Sequence, residues 1–385
     1  MKTKTANPDF EGAPINWPAM IVLTGTSVAA VTVLPAYLWF FDPAPWLWVW
    51  AFAVLWANGL SITAGYHRLW AHRAYEARGP LKLMYALFGA MTLQNSILFW
   101  ASTHRSHHRD VDEPDHDPYS IRRGFWFAHM GWMLRDYPSA RTDYSNAADL
   151  QADPYVAFQH RHYLWIATAM NLLVPAAIGA LHNDILGGLM LVGLLRVVVS
   201  HQLTFCINSL AHTWGRQPYT NENSARDNDL ISFLTYGEGY HNFHHHFQWD
   251  YRNGVRWWQF DPTKWLIALC ARFGLARNLK RVPEFSILRA RVQRQIDRAK
   301  ELMTACRSAD QRDLWEKSLR DEVAAYRATL AAWGNLQQEK LEAARDKLAA
   351  QWAQSEWPGR IVQLEDSLRL QHQRLTAMSA RYAYA

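Results

Sequence analysis

The sequence predicts an all-α integral membrane protein: four membrane-crossing helices, a histidine-rich cytosolic cap and a charged helical tail. Three observations carry the prediction. Long apolar runs come as two pairs between about residues 19 and 210. Sixteen of the seventeen histidines lie between His67 and His246. After about Ser286 the chain turns to Arg, Gln, Glu and Ala, with apolar residues at three- and four-residue intervals.

A polar N-terminus, residues 1–18, precedes the first apolar run. That run, Ala19–Phe41, is too long for a signal-peptide core and lacks a small-residue cleavage site, so it is expected to stay as an anchor. The second, Trp46–Tyr66, follows the short link Phe41-Asp42-Pro43-Ala44-Pro45, which makes the pair a tight hairpin. The third, Tyr163–Leu181, and the fourth, Ile185 to about Leu210, are separated by His182-Asn183-Asp184. A bilayer core needs about 20 residues of helix, so the longer fourth run should project into water at its end. Neither short link contains Lys or Arg, whereas the flanking and middle segments are Arg-rich. The positive-inside rule therefore places both termini and the middle segment in the cytoplasm. Twenty tryptophans suit the membrane–water interface.

Leu81–Trp100 is also apolar enough to cross, but crossing would send Arg-rich segments outside. It is expected to be a membrane-embedded or interfacial helix that re-emerges on the cytoplasmic side. Arg196, deep in the fourth run, is expected either to face the bundle interior with a partner or to be a snorkelling or packing residue. The domain reading is 1–18 N-terminus, 19–285 membrane domain and 286–385 tail. Breaks near Gly334 and at Trp357-Pro358-Gly359 suggest a helical hairpin or coiled coil.

The net charge of +6 points only weakly to nucleic acid, and no basic helix carries interleaved aromatics, so nucleic acid is not expected as a partner. Cys206, Cys270 and Cys306 have no paired spacing, which argues against a disulfide framework or a zinc ribbon.

Eight histidines form three clusters: His67 with His72; His104, His107 and His108; His241, His244 and His245. A ninth, His212, closes Asn208-Ser-Leu-Ala-His212. Positions i, i+3 and i+4 share one helix face, so each triple can aim three rings at one point. His67 and His72 are five apart, a spacing that suits a helix end where the backbone bends. Nine donors are too many for one ion, and imidazole accepts iron, zinc, copper or nickel. A structural zinc site would need four ligands, usually with thiolates. Glu238, three residues before His241, is expected behind the ligands rather than among them. His116, His129, His160, His162, His182, His201 and His246 are expected outside the site, since single histidines at membrane surfaces are more often hydrogen-bonded residues.

These motifs resemble those of the membrane fatty acid desaturases, specifically the stearoyl-CoA (delta-9) branch in its bacterial type. The matching residues are Gly65-Tyr-His-Arg-Leu-Trp-Ala-His72, Gln94-Asn95, Trp100, His104–His108 and Arg122-Arg-Gly-Phe125. Further along come Asn208–His212, Gly237-Glu-Gly-Tyr-His-Asn-Phe-His-His245 and Asp261-Pro-Thr-Lys264. The resemblance implies that His67, His72, His104, His107, His108, His212, His241, His244 and His245 bind two iron ions, with Asn208 reaching one through water. It implies that Gln94, Trp100 and Thr204 shape the bend of an acyl tunnel. The implied reaction is O₂-dependent insertion of a cis double bond, delta-9 by the branch, into a long-chain acyl-CoA.

Ser102 and Thr103 stand where animal members carry an Arg-Asp headgroup pair, and Asp136 stands where a Lys would follow Arg135. Arg135 remains a candidate headgroup contact, and an acyl phospholipid stays open as the substrate beside acyl-CoA. No His-Pro-Gly-Gly haem motif occurs. Electrons are therefore expected from a separate carrier, a ferredoxin, rubredoxin or cytochrome b5-like protein, with its reductase. The expected location is a bacterial inner membrane. Two other readings stay open: a lipid or alkyl hydroxylase on the same scaffold, and a non-enzymatic membrane metal-binding protein.

Overall fold

A computed structural model describes residues 12–306, 308–345 and 357–384. The chain divides into two compact units: residues up to 216 with 223–281, and residues 217–222 with 282 onward.

Among the described residues of the first unit, four helices are long and apolar enough to cross a membrane: α1 (Trp17–Phe40), α2 (Pro45–Ala71), α6 (Tyr163–Leu181) and α7 (Ile185–His212). They match the four apolar runs, and the second and fourth run further than expected, to Ala71 and His212. The apolar windows of α2 and α7 are 50% and 44% buried, against 11% and 17% for α1 and α6. The inner pair therefore builds the core while the outer pair faces lipid. Trp39, Phe40, Trp46 and Trp48 stand exposed around the first hairpin, as an interfacial aromatic belt requires. Asn16 caps α1 by accepting the Ala19 amide, and Asp184 caps α7 by accepting that of Gly187.

The α6–α7 hairpin closes on small residues. A β-carbon at Gly188 would lie 2.3 Å from the Pro175 carbonyl oxygen and 2.8 Å from the Gly179 Cα. Lipid supplies little drive for helices to associate, so such close backbone approach is how they gain contact.

Between α2 and α6 the chain folds as short helices: α3 (Gly79–Ala90), α4 (Ile97–Asp110) and α5 (Pro154–Arg161) among them. Leu81–Trp100 is thus not one helix. It breaks at residues 91–96, where Leu93 (φ 56°) and Asn95 (φ 79°) take left-handed backbone and Ser96 restarts the chain by capping α4. Later come α8 (His241–His246) and α9 (Pro262–Arg272). A two-stranded antiparallel sheet, Glu76–Ala77 with Ala276–Arg277, ties the start of this region to its end.

The second unit contains α10 (Glu284–Ala305), α11 (Ala309–Arg345) and α12 (Trp357–Tyr384). Its core is a seam of Leu, Ile and Val with two stacked aromatic pairs, Phe285–Trp333 at 3.7 Å and Trp315–Tyr382 at 3.9 Å. The expected break near Gly334 does not occur: α11 runs through it, since one glycine costs a helix only about 1 kcal/mol.

Gly188→Val forces the α6–α7 backbones apart and is expected to cost about 1–3 kcal/mol. It should lower the melting temperature in detergent, whereas Gly25→Ala, where nothing lies within 4 Å and alanine is the better helix former, should not lower it.

Candidate metal centre

The histidines converge in two groups. His67, His72, His104, His108 and His244 form one, and His107, His212, His241 and His245 the other; within each, the ring nitrogens lie within 4.8 Å of one another. All nine expected histidines are therefore present. Among the described residues, the seven histidines expected outside the site belong to neither group.

Four elements deliver the rings, with His212 coming from the end of α7. At the end of α2, residues Ser61–Ala71 wind as a π-helix, and the His72 amide bonds the His67 carbonyl at 3.0 Å, an i to i+5 bond. This wider winding brings residues five apart onto one face. The His67–His72 spacing is thus explained by a local change of winding in a continuous helix rather than by a bent helix end. All eleven residues of the segment are buried. On α4, His104 and His108 serve the first group and His107 the second; on α8, His244 serves the first, and His241 and His245 the second. The Asp227 carboxylate sets the start of α8 by accepting the Asn242 and Phe243 amides.

The donor atoms meet edge to edge. In the first group the Nε2–Nε2 separations are 3.0 Å for His67–His244, 2.9 Å for His72–His104 and 2.9 Å for His108–His244. In the second they are 3.3 Å for His107–His245, 3.1 Å for His212–His241 and 3.1 Å for His241–His245. Nitrogens about 2.1 Å from one ion and at right angles would stand about 3.0 Å apart. A shared N–H···N bond explains one such pair. It does not explain His244 Nε2 or His241 Nε2, each of which meets two others. Lone pairs facing one another in a buried space need a cation between them, and the residues fit one in each group.

Four of the opposite ring nitrogens have a polar group behind them. His67 Nδ1 lies 2.9 Å from Glu238 Oε2, and His107 Nδ1 lies 2.8 Å from Asp117 Oδ1. His212 Nδ1 meets Ser224 Oγ at 2.7 Å, and that hydroxyl donates to Asp112. Tyr119 OH is 3.0 Å from His104 Nδ1. A carboxylate that accepts the Nδ1 proton fixes the tautomer and leaves Nε2 free to bind metal. Glu238 is itself held by Arg68 at 2.9 Å and by Asn253 at 2.8 Å. Burial alone would raise its carboxyl, but His67 and Arg68 outweigh that and hold it down at about 2. Burial first, then the neighbouring imidazoles, push His72, His104, His108, His241, His244 and His245 well below the ordinary histidine range. These rings are neutral at pH 7, as ligands must be.

Glu238 stands where expected. Asp117, Tyr119, Ser224 and Asp112 were not foreseen. Each comes from an irregular segment, where no periodicity links it to its histidine.

A cavity of about 1090 Å³ reaches this centre. His67, His104, His107 and His241 line it, as do Gln94, Trp100, Thr204 and Asn208. Gln94 Nε2 donates to Thr204 Oγ at 3.0 Å, and the Trp100 ring stacks on His104 at 4.9 Å. Arg135 also lines the cavity, with one guanidinium nitrogen donating to the Ala13 carbonyl. Ser102, itself buried, bonds Thr142 and Asn146, while Thr103 and Thr142 line the cavity.

The sequence profile of the fatty acid desaturase family matches residues 43–280. The chain belongs to that family. Relatives include a probable acyl-CoA desaturase of Schizosaccharomyces pombe, 47% identical over 62% of this chain and 50% of that protein. The human stearoyl-CoA desaturase is 37% identical over 65% of this chain and 70% of its own. An acyl-CoA Delta12-desaturase of Acheta domesticus is 40% identical over 62% and 68%. The chain spans about half the length of the yeast relative.

Metal analysis of the purified protein is expected to return two equivalents per chain. Glu238→Gln keeps the shape but weakens the acceptor behind His67. It should weaken metal retention against a chelator by about 10- to 100-fold, as changes behind a ligand typically do.

Proposed function

We propose that the protein is an O₂-dependent acyl-CoA desaturase that introduces a cis double bond, at delta-9 by analogy with the stearoyl-CoA desaturases. The observation that carries this is the shared cavity: one apolar space is lined both by histidines of each group and by the Gln94–Thr204 pair. Its volume suits a long acyl chain rather than a small polar metabolite.

In this reading the nine histidines hold two iron ions, five ligands on one and four on the other, with Asn208 reaching one of them through water. Iron with O₂ supplies the oxidant that an unactivated methylene C–H requires. The overall balance is a saturated chain, O₂, two electrons and two protons going to a cis-alkene and two waters. The protein's own part is geometric. Trp100 packs against His104 and His67 and walls the chain against the centre. Gln94 and Thr204 hold the bend, and the apolar lining excludes water that could quench the oxidant. Arg135 is the headgroup contact at the cavity's polar side. Electrons come from a separate one-electron carrier such as a ferredoxin, rubredoxin or cytochrome b5-like protein. The location is a bacterial inner membrane with both termini cytoplasmic.

The test is fatty-acid analysis of cells expressing the chain, with the double bond located by mass spectrometry and His244→Ala in parallel. New cis-monoenes in the wild type alone are expected. Hydroxylated chains in their place would reassign the reaction, and full activity in His244→Ala would sink the ligand assignment. Thr204→Val, which removes the partner of Gln94, is expected to redistribute the double bond among neighbouring positions with metal content unchanged.

A further inference from the structure

The turn between α3 and α4 lies beside membrane-crossing helices, where backbone groups must be satisfied by protein rather than by bulk water. The last carbonyls of α3 can be followed one by one. Asn58 Nδ2 donates to the Phe88 oxygen at 2.7 Å, the Thr92 hydroxyl to that of Gly89 at 2.7 Å and the Leu93 amide to that of Ala90 at 3.1 Å. The next two, on Met91 and Thr92, take their donors from α7, over a hundred residues later. Arg196 Nη1 donates to the Met91 oxygen at 2.7 Å, and His201 Nε2 to the Thr92 oxygen at 2.7 Å. Arg196 also donates to the Val192 carbonyl at 2.9 Å and to Asn171 Oδ1 at 2.8 Å. Both side chains are buried, at 1% and 2% exposure. A cation at the C-terminal end of α3 also meets the negative end of its dipole.

The residues that follow are Leu93, Gln94 and Asn95, with left-handed backbone on either side of Gln94. Such backbone at non-glycine residues persists only where its surroundings hold it. The far side of the turn is held too: Tyr163 OH accepts the Asn95 amide at 2.9 Å, and Gln159 accepts that of Ile97 at 3.0 Å. Gln94 is thereby aimed at Thr204, which lies one helical turn beyond His201 on α7.

We propose that Arg196 and His201 are positioning residues for the acyl tunnel. By gripping the Met91 and Thr92 carbonyls they fix the turn that presents Gln94, and so fix which pair of acyl carbons faces the metal centre. The inference rests on the desaturase reading, in which Gln94 and Thr204 hold the bend.

The test compares thermal stabilisation of the purified, full-length protein by a series of cis-monoenoyl-CoAs that differ only in double-bond position, a readout that needs no turnover. The wild type should be stabilised most by one isomer. His201→Phe, which removes a single donor, and Arg196→Lys, which replaces the guanidinium fork with one ammonium, should flatten that preference several-fold. His201→Gln, whose amide can still donate, should retain it. In the product assay the first two should spread the double bond over neighbouring positions. A wild type unresponsive to every acyl-CoA would overturn the desaturase reading and this inference with it. Equal stabilisation of the wild type by all isomers, or a preference unchanged in His201→Phe, would overturn the inference alone. His201→Phe decides the matter if Arg196→Lys is not recovered folded.

Discussion

The fold is organised around one electrostatic difficulty: neutral imidazoles must turn their lone pairs toward one another inside a buried space. The 2.9 Å contact between His67 Nδ1 and Glu238, backed by Arg68, is central to how this is managed. Glu238 accepts from Arg68 and Asn253, and Arg68 reaches on to Asp261 and the Tyr251 carbonyl. Asp261 in turn accepts the Asn253, Gly254 and Lys264 amides. One buried network therefore joins the end of α2, the loop before α8 and the start of α9. Removing one member of such a buried pair typically costs about 3–5 kcal/mol, because a charge is left without its partner. The network orders the cap as well as the ring of His67.

Local departures from regular helix are concentrated where the chemistry is. A straight α-helix through Ser61–Ala71 would turn His72 away from His67, whereas the π-winding keeps both on one face. Its irregular hydrogen bonding is tolerated because neighbouring elements bury all eleven residues. The turn at 91–96 follows the same logic, since its strained backbone is stabilised by donors and acceptors from α5, α6 and α7.

The histidine spacings and the four apolar runs made the converging histidines and the candidate membrane helices legible in the sequence. These features are periodic or compositional, and helix geometry translates them directly. The grouping of the rings was not legible. His107 sits beside His108 in sequence yet belongs to the other group, because adjacent helical residues point about 100° apart and meet different partners. The turn at 91–96 was hidden because Met-Thr-Leu-Gln-Asn-Ser carries neither glycine nor proline; the donors that stabilise it are about a hundred residues away. Asp117, Tyr119, Ser224 and Asp112 were hidden for a related reason, since loops bring them to the rings without any repeat that a sequence could display.

Helix α7 relates the tunnel to the metal centre. Arg196, His201, Thr204, Asn208 and His212 follow one another along it. In this order the helix passes from the donors that hold the turn, through the partner of Gln94, to a histidine of the second group. At 1.5 Å per residue the eight steps from Thr204 to His212 set roughly 12 Å between the bend and the centre. Helix α4 repeats the relation from the other side, since it begins just after the turn and carries His104, His107 and His108. Helices α4 and α7 thus tie the turn that carries Gln94 to four of the nine histidines, His104, His107, His108 and His212. On the proposed desaturase reading, moving the site of oxidation along an acyl chain would require the turn to move against α7, a movement that the bonds of Arg196 and His201 to the Met91 and Thr92 carbonyls oppose.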